Sequence, residues 1–471
     1  MAEDELRAFD QHILSTIWTS SEPYDNLLYL CDDLGHRFAG SPQEHQAARF
    51  LQAKLQDYGL DPVWLEEFPI ASWERGPCQL SLTAPLERSF PVIAMPYCPS
   101  AEIEAELIDV GEGELVDFER LGGLIANKIV LTDAETNKPG EQKSHRNDKY
   151  GWAVQFGAAA IVYTNRNQGM LKITGSIPGR NPRGSGAEDR EAPIPGLGIS
   201  YEAGEAIRRL AKRGPARLRI STENRTFDSI SYNVIGEITG SEHPDEIVML
   251  GGHYDGHDIA EGAGDNAAGV VTVVEAARAL AGLKGQLKRT IRFVCYGSEE
   301  IGLLGAWHNA PLHGRSDAER QIRLVFNLDG AGRGIGGQES ANANGSTELV
   351  GYLQQLSSEL PYHFEVQSNL NSHSDHFPFA VQGIPNVSMS SRDTTAGLIG
   401  RGWGHTEADT VEKISLRGLQ SSAILVARLA ARVSEDDDFP GRRRTVDEVR
   451  EQLKSGGMLE SVEQAGRFPP E

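Results

Sequence analysis

From about residue 228 the chain repeats one pattern: a short apolar strand, a loop rich in glycine, then a helix with an apolar face. Residues 246–250, 290–295, 322–326 and 384–389 read as strands, and residues 268–283 and 415–433 as helices. Strands that alternate with helices pair side by side and bury both sheet faces. The pattern therefore predicts an α/β fold with a mostly parallel central sheet flanked by helices. Ligands of such sheets bind at the carboxyl ends of the strands. There the chain places Gly252-His253-Tyr254-Asp255, Glu299-Glu300 and Asp329. Gly264-Asp265-Asn266 opens the next helix, and His405 arrives from a late loop.

The part before this repeat is of two kinds. Residues 1–75 are largely helical in pattern. Ser41-Pro42-Gln43-Glu44 is a capping box with proline in the first turn, and Ala47, Phe50, Leu51 and Leu55 follow at spacings of three and four. The helix should stop near Gly59, with a strand over residues 62–65 behind it. Residues 98–225 carry short β-like runs at 106–110, 128–132, 160–163 and 216–220, with a helix at 150–158 and loops rich in glycine, proline and arginine. That segment looks able to close a small core, a β-rich α/β insert, and none of the candidate ligands lies inside it. The expected organisation is a catalytic domain split into residues 1–97 and 226–433, the insert at 98–225, and a polar tail at 434–471. The tail's Glu435-Asp436-Asp437-Asp438 and Arg442-Arg443-Arg444 are read as solvated charge, with a helix at 445–453.

Bulk properties exclude some classes. A chain of 471 residues with 39% apolar and 24% charged residues is ordinary globular material for two or three domains. A net charge of −22 argues against a nucleic-acid partner, which needs a basic face. Cys31, Cys78, Cys98 and Cys295 form no CxxC pair, so a thiolate zinc site is not expected. The acidic start Met1-Ala2-Glu3-Asp4-Glu5 lacks a basic n-region with an apolar core, and no run reaches the roughly 18 apolar residues of a membrane span. A cytoplasmic location and no membrane partner are the expectations.

The strand-end residues offer two imidazoles and several carboxylates, the donor set of divalent metals with open positions. Asp255, two residues after His253, suits a role in holding the imidazole's second nitrogen. Asp265 has two oxygens and could bridge two ions. Glu299 and Glu300 are adjacent, so their side chains diverge: one can bind metal while the other faces a bound water. These types suit hydrolysis by a metal-bound hydroxide, with a free carboxylate taking the proton and delivering it to the leaving amine. Each residue alone has an ordinary reading: a satisfied polar histidine, a helix cap, solvent-facing charge. Their clustering at the strand ends of one α/β unit favours a metal site.

These strings carry a resemblance. Gly251-Gly252-His253-Tyr254-Asp255, Gly262-Ala263-Gly264-Asp265-Asn266-Ala267-Ala268-Gly269 and Ser298-Glu299-Glu300-Ile301-Gly302-Leu303-Leu304-Gly305 resemble the M28 zinc peptidases. Asn327-Leu328-Asp329, Ser374-Asp375-His376-Phe377-Pro378-Phe379 and Gly404-His405-Thr406-Glu407-Ala408-Asp409-Thr410 continue the resemblance in order. It covers roughly residues 230 to 433, and residues 98–225 resemble the protease-associated (PA) domain inserted in many of these enzymes. Gly59-Leu60 through Trp73-Glu74-Arg75-Gly76, with the insert, most resembles the carboxypeptidase Q (plasma glutamate carboxypeptidase) branch. The resemblance implies two zinc ions. His253 and Asp329 would hold one, Glu300 and His405 the other, with Asp265 bridging, Glu299 as general base and acid, and Asp255 orienting His253. Every liganding position is filled. Two departures stand out. Asp265-Asn266 is more aminopeptidase-like than that branch, and His257-Asp258 adds a potential ligand that is set aside because the metal positions are accounted for.

The remaining histidines His36, His308, His373 and His376 are read as structural or pocket-lining, His376 being the one expected nearest substrate. The loop from Ser391 to Gly402, with Arg401 and Trp403, is a candidate pocket wall, a plain surface loop being the equal alternative. The reading is a di-zinc M28-type exopeptidase that cleaves the N-terminal peptide bond of short peptides or dipeptides, with a homodimer as the candidate assembly. Its rivals are a deacylase of N-acylated amino acids on the same scaffold, a non-catalytic binding protein, and a transferase similar to glutaminyl cyclases that holds one zinc.

Overall fold

The structure, a computed structural model, describes residues 3–135, 144–181, 186–315, 319–333, 339–391 and 403–469. It divides into two compact units: Met1–Phe68, Ile230–Gly397 and Asp409–Glu471 form one, and Pro69–Ser229 with Leu398–Ala408 the other.

The first unit holds an eight-stranded sheet. Its order is Val63–Glu74, Arg225–Ile238, Arg289–Tyr296, His243–His253, Gln321–Leu328, Asn386–Ser391, Glu339–Asn342 and Glu365–Gln367. The four strands in the middle are parallel, with His253 opposite Tyr296, Gly251 opposite Asn327, and Asn327 opposite Ser388. Antiparallel pairs flank them on both sides. The predicted strands are all present; those expected at 246–250, 290–295 and 322–326 are longer by a few residues, and the one expected at 384–389 lies at Asn386–Ser391. Ala268–Ala281 is the central helix, apolar and buried on nearly every face. Gly269 sets how close it comes: a Cβ there would lie 2.3 Å from the Leu328 carbonyl oxygen and 2.1 Å from Asn266 Oδ1. This approach brings Asp265 and Asp329 to the same sheet end. Leu416–Glu435 packs beside the central helix, and Arg428 and Arg432 both grip Asp10 of Glu3–Trp18 at 2.7–2.8 Å.

Ser41 caps Pro42–Asp57 as expected, its hydroxyl accepting the Glu44 amide at 3.1 Å. Glu44 does more than the motif asks. It is fully buried, and its carboxylate accepts Gly40 N–H at 2.6 Å and the hydroxyls of Ser231 at 2.5 Å and Ser298 at 3.2 Å. The tail also differs from its expectation. Val446–Ser455 and Leu459–Gln464 bury Val449, Leu453 and Val462 against Phe377 and Val381, so it belongs to the first unit's packing. Apolar residues at helical spacing outweigh the flanking charge runs.

The second unit has its own eight-stranded sheet, ordered Arg88–Phe90, Cys78–Ala84, Arg217–Thr222, Ala101–Gly111, Ile129–Asp133, Ala160–Thr164, Gly196–Ile199 and Ile93–Ala94. Its core gathers Leu80, Leu82, Ile129, Leu131, Val162, Leu197, Leu218 and Ile220. The unit begins at Pro69 and not near residue 98, because Cys78–Ala84 pairs antiparallel with Arg217–Thr222, Leu80 facing Ile220. Among the described residues no helix is long and apolar enough to cross a membrane.

Candidate metal centre

Three strand ends and one turn converge in the first unit. His253 ends its strand with no exposed surface. Its Nδ1 lies 3.4 Å from Asp255 Oδ1, and its Nε2 lies 3.6 Å from Asp265 Oδ1, 3.9 Å from Asp329 Oδ1 and 4.0 Å from Glu299 Oε2. Those last three distances are too long for hydrogen bonds, and Nε2 has no hydrogen-bond partner among the described residues. His253, Glu299 and Asp329 each offer a donor atom within 4.8 Å of the others. Asp255 ties the neighbours in place. Its two oxygens accept the backbone amides of Glu299 at 3.0 Å and Glu300 at 3.1 Å. The adjacent glutamates diverge: Glu299 faces His253, and Glu300 Oε2 lies 3.0 Å from His257 Nε2.

Asp265 does not begin a regular helix. It sits in the irregular turn Ala263–Ala267 with φ −130° and ψ 84°, and the helix starts at Ala268. Asp409 holds this turn by accepting the amides of Gly264 at 2.7 Å and Asp265 at 3.0 Å. Asn266 bridges to the next strand end, donating to the Leu328 carbonyl at 2.8 Å and accepting Gly330 N–H at 3.2 Å. Arg333 donates to the Gly264 carbonyl at 2.6 Å and lies 3.7 Å from Asp265 and 4.0 Å from Asp329.

His405 falls in Leu398–Ala408, which groups with the second unit although it lies far along the chain from residues 98–225. Its Nδ1 lies 3.1 Å from the Thr174 carbonyl oxygen, and its own carbonyl accepts Thr174 N–H at 3.0 Å. Arg401 and the rest of the candidate wall at 392–402 lie outside the described residues. His376 is fully buried, with Nε2 3.0 Å from the Asn371 carbonyl oxygen. His308 stacks on Phe68 with centroids 5.3 Å apart.

The electrostatics of the first unit's cluster are lopsided. Burial pushes the Glu299 carboxyl far above the usual carboxylate range; His253 opposes this and Glu300, Asp329 and Asp375 add to it. Burial likewise lifts Asp375, whose two oxygens are buried with no hydrogen-bond partner among the described residues. Burial disfavours a charged His253, yet Glu299, Asp255, Asp265 and Asp329 outweigh it and hold its pKa well above normal. Buried carboxylates in this number need a compensating cation. The orphaned imidazole nitrogen and the convergent oxygens are the nitrogen and oxygen donors zinc takes, so the residues fit a metal.

Asp375, Asp409 and Arg333 had no assigned role in the sequence reading. The first two lay inside the strings quoted for the resemblance, as acids in otherwise apolar or capping contexts. Arg333 had no signal, since only the loop after the strand brings it back.

Residues 233–430 match the model of Peptidase family M28 and residues 97–207 that of the PA domain. Carboxypeptidase Q of Xenopus laevis is 28% identical over 377 residues, which are 78% of this chain and 76% of that protein. The crystal structure of a peptidase M28 precursor from Shewanella amazonensis aligns with TM-score 0.78 at 25% identity, covering 94% of this chain and 99% of that one. A zinc aminopeptidase from Bacillus subtilis shares the fold, with TM-score 0.65 at 24% identity over 88% of this chain and 94% of that one.

Proposed function

We propose that this chain, whose residues 233–430 match the model of Peptidase family M28 and residues 97–207 that of the PA domain, is a di-zinc exopeptidase removing residues from the amino end of short peptides or dipeptides. One observation carries the reading: the buried, unpartnered Nε2 of His253 facing Asp265, Asp329 and Glu299 across gaps of 3.6–4.0 Å. In this reading His253 and Asp329 would hold one ion, Glu300 and His405 would hold the other, and Asp265 would serve both. Zinc supplies a Lewis acid for the scissile carbonyl and lowers the pKa of water.

The chain's own residues do the rest. Asp255 keeps His253 Nδ1 engaged, leaving Nε2 as the donor, and through two amide hydrogen bonds fixes the backbone from which Glu299 and Glu300 diverge. Asp409 and Asn266 hold the turn that carries Asp265. Glu299, on the His253 side, takes a proton from the attacking water and passes it to the leaving amine. A cytoplasmic location goes with the same reading, and all four cysteines are free thiols, three of them buried.

The relatives' names point to opposite peptide ends, so the test must separate them. Zinc per chain should be counted, and hydrolysis compared on dipeptides with free amines, the same dipeptides N-acylated, and peptides blocked at the carboxyl end. Cleavage that requires the free amine with two zinc ions bound is the expected result. Preferential cleavage of the N-acylated set would overturn the aminopeptidase reading in favour of a deacylase.

A further inference from the structure

We propose that His257 is a ligand to the same ion that Glu300 holds, making that ion the more tightly bound of the two; this rests on the di-zinc reading above. His257 follows His253 by four residues, on the loop leaving the same strand. It is buried, and its Nε2 lies 3.0 Å from Glu300 Oε2, whose side chain is equally buried. Two donors on one zinc ion, each at about 2.0–2.2 Å and separated by about 90–110°, stand roughly 2.8–3.6 Å apart. The observed separation falls in that span. Glu300 itself is anchored by Asp255, which also engages His253. The backbone that positions one ion's imidazole thus also positions the second ion's carboxylate.

A consequence follows for the pair of ions. The assigned set gives each ion two terminal ligands and a share of Asp265. Adding His257 gives the Glu300-side ion one protein donor more than the His253-side ion. Catalytic zinc keeps three protein ligands and an open position, whereas fully ligated zinc is held tightly for structure. The Glu300-side ion becomes the resident one, and the ion between His253 and Asp329 the exchangeable one that keeps its open position.

The competing arrangement is that His257 only hydrogen-bonds the outer face of Glu300. Chelator competition on the full-length protein separates the two, read as zinc affinity for each ion and independent of turnover. His257→Gln keeps a hydrogen-bond donor but is a poor zinc ligand; His257→Phe removes both. Loss of an outer hydrogen-bond partner costs about 10–100-fold in metal affinity. The expectation is that both variants weaken the tighter ion alike, by more than 100-fold, and leave the weaker ion unchanged. In cobalt-substituted protein, visible absorption should rise as the coordination number drops. Recovery of affinity in His257→Gln, or wild-type affinities in both variants, would overturn the proposal. Should His257→Phe fail to fold, His257→Gln decides alone. Wild-type protein that binds no zinc would instead refute the di-zinc reading on which the proposal stands.

Discussion

Asp255→Asn tests the claim that one carboxylate organises the metal centre. Both oxygens of Asp255 are committed, one to each amide of Glu299 and Glu300, and the side chain has no exposed surface. Asparagine keeps one acceptor and turns an NH2 group toward the other amide. That exchange loses a hydrogen bond to a charged group, about 1.5–3 kcal/mol, and strands a buried N–H, about 1–3 kcal/mol. The zinc-loaded protein should therefore lose about 3–5 kcal/mol of unfolding free energy. Zinc affinity should fall about 10–100-fold as His253 loses its orienting partner. The zinc-free protein should lose less, because the same change removes one of several crowded negative charges. Urea unfolding with and without zinc, alongside chelator competition, reads both quantities. An Asp255→Asn protein with wild-type unfolding and wild-type zinc affinity would show that Asp255 merely occupies space.

Glu299→Gln should keep its fold and both metals while turnover falls on the order of 10² to 10⁴; near-normal rates with full metal content would remove Glu299 from proton transfer. Asp265→Ala should lower the metal content from two ions to none, measured by elemental analysis after gel filtration, and retention of two would rule out the bridge. Glu44 predicts a pH effect. Burial, with Asp255 nearby, pushes its carboxyl from 4.5 up to about 8. A raised folded-state pKa gives stability that is full below 4.5 and lost as pH rises through about 8. Wild type should thus lose stability relative to Glu44→Gln across that window, by at most about 1.4 kcal/mol per pH unit. Melting curves of the two proteins that stay parallel from roughly pH 5 to 9 would count against a buried neutral Glu44.

Much of the centre was legible because its residues sit where local pattern and sheet geometry meet. The apolar runs ending at His253, Tyr296 and Leu328 announce parallel strands, and parallel strands put their carboxyl ends side by side. What local pattern could not carry is pairing across long stretches of chain. Cys78–Ala84 joins a strand more than a hundred residues later, which moves the unit boundary from the expected residue 97 back to Phe68. Charge runs hid the tail's apolar face, where Val449 and Leu453 sit four apart. Asp409 and Arg333 act on Asp265 only after tertiary contact, so neither spacing nor composition marks them.

Interruption of the first unit has a consequence during synthesis. Every strand of the second sheet lies between residues 78 and 222, so nearly all of that core is in hand soon after residue 229 is made. The edge strand Val63–Glu74 must wait about 150 residues for its neighbour Arg225–Ile238, some 8–30 s at ribosomal rates of about 5–20 residues per second. Meanwhile the amphipathic helix Pro42–Asp57 and that lone strand have no sheet to cover. The nascent chain therefore carries an unpaired β-edge while the strands of the intervening unit are still being made. This is the interval in which a chaperone, or a second nascent copy, would find a strand to pair with.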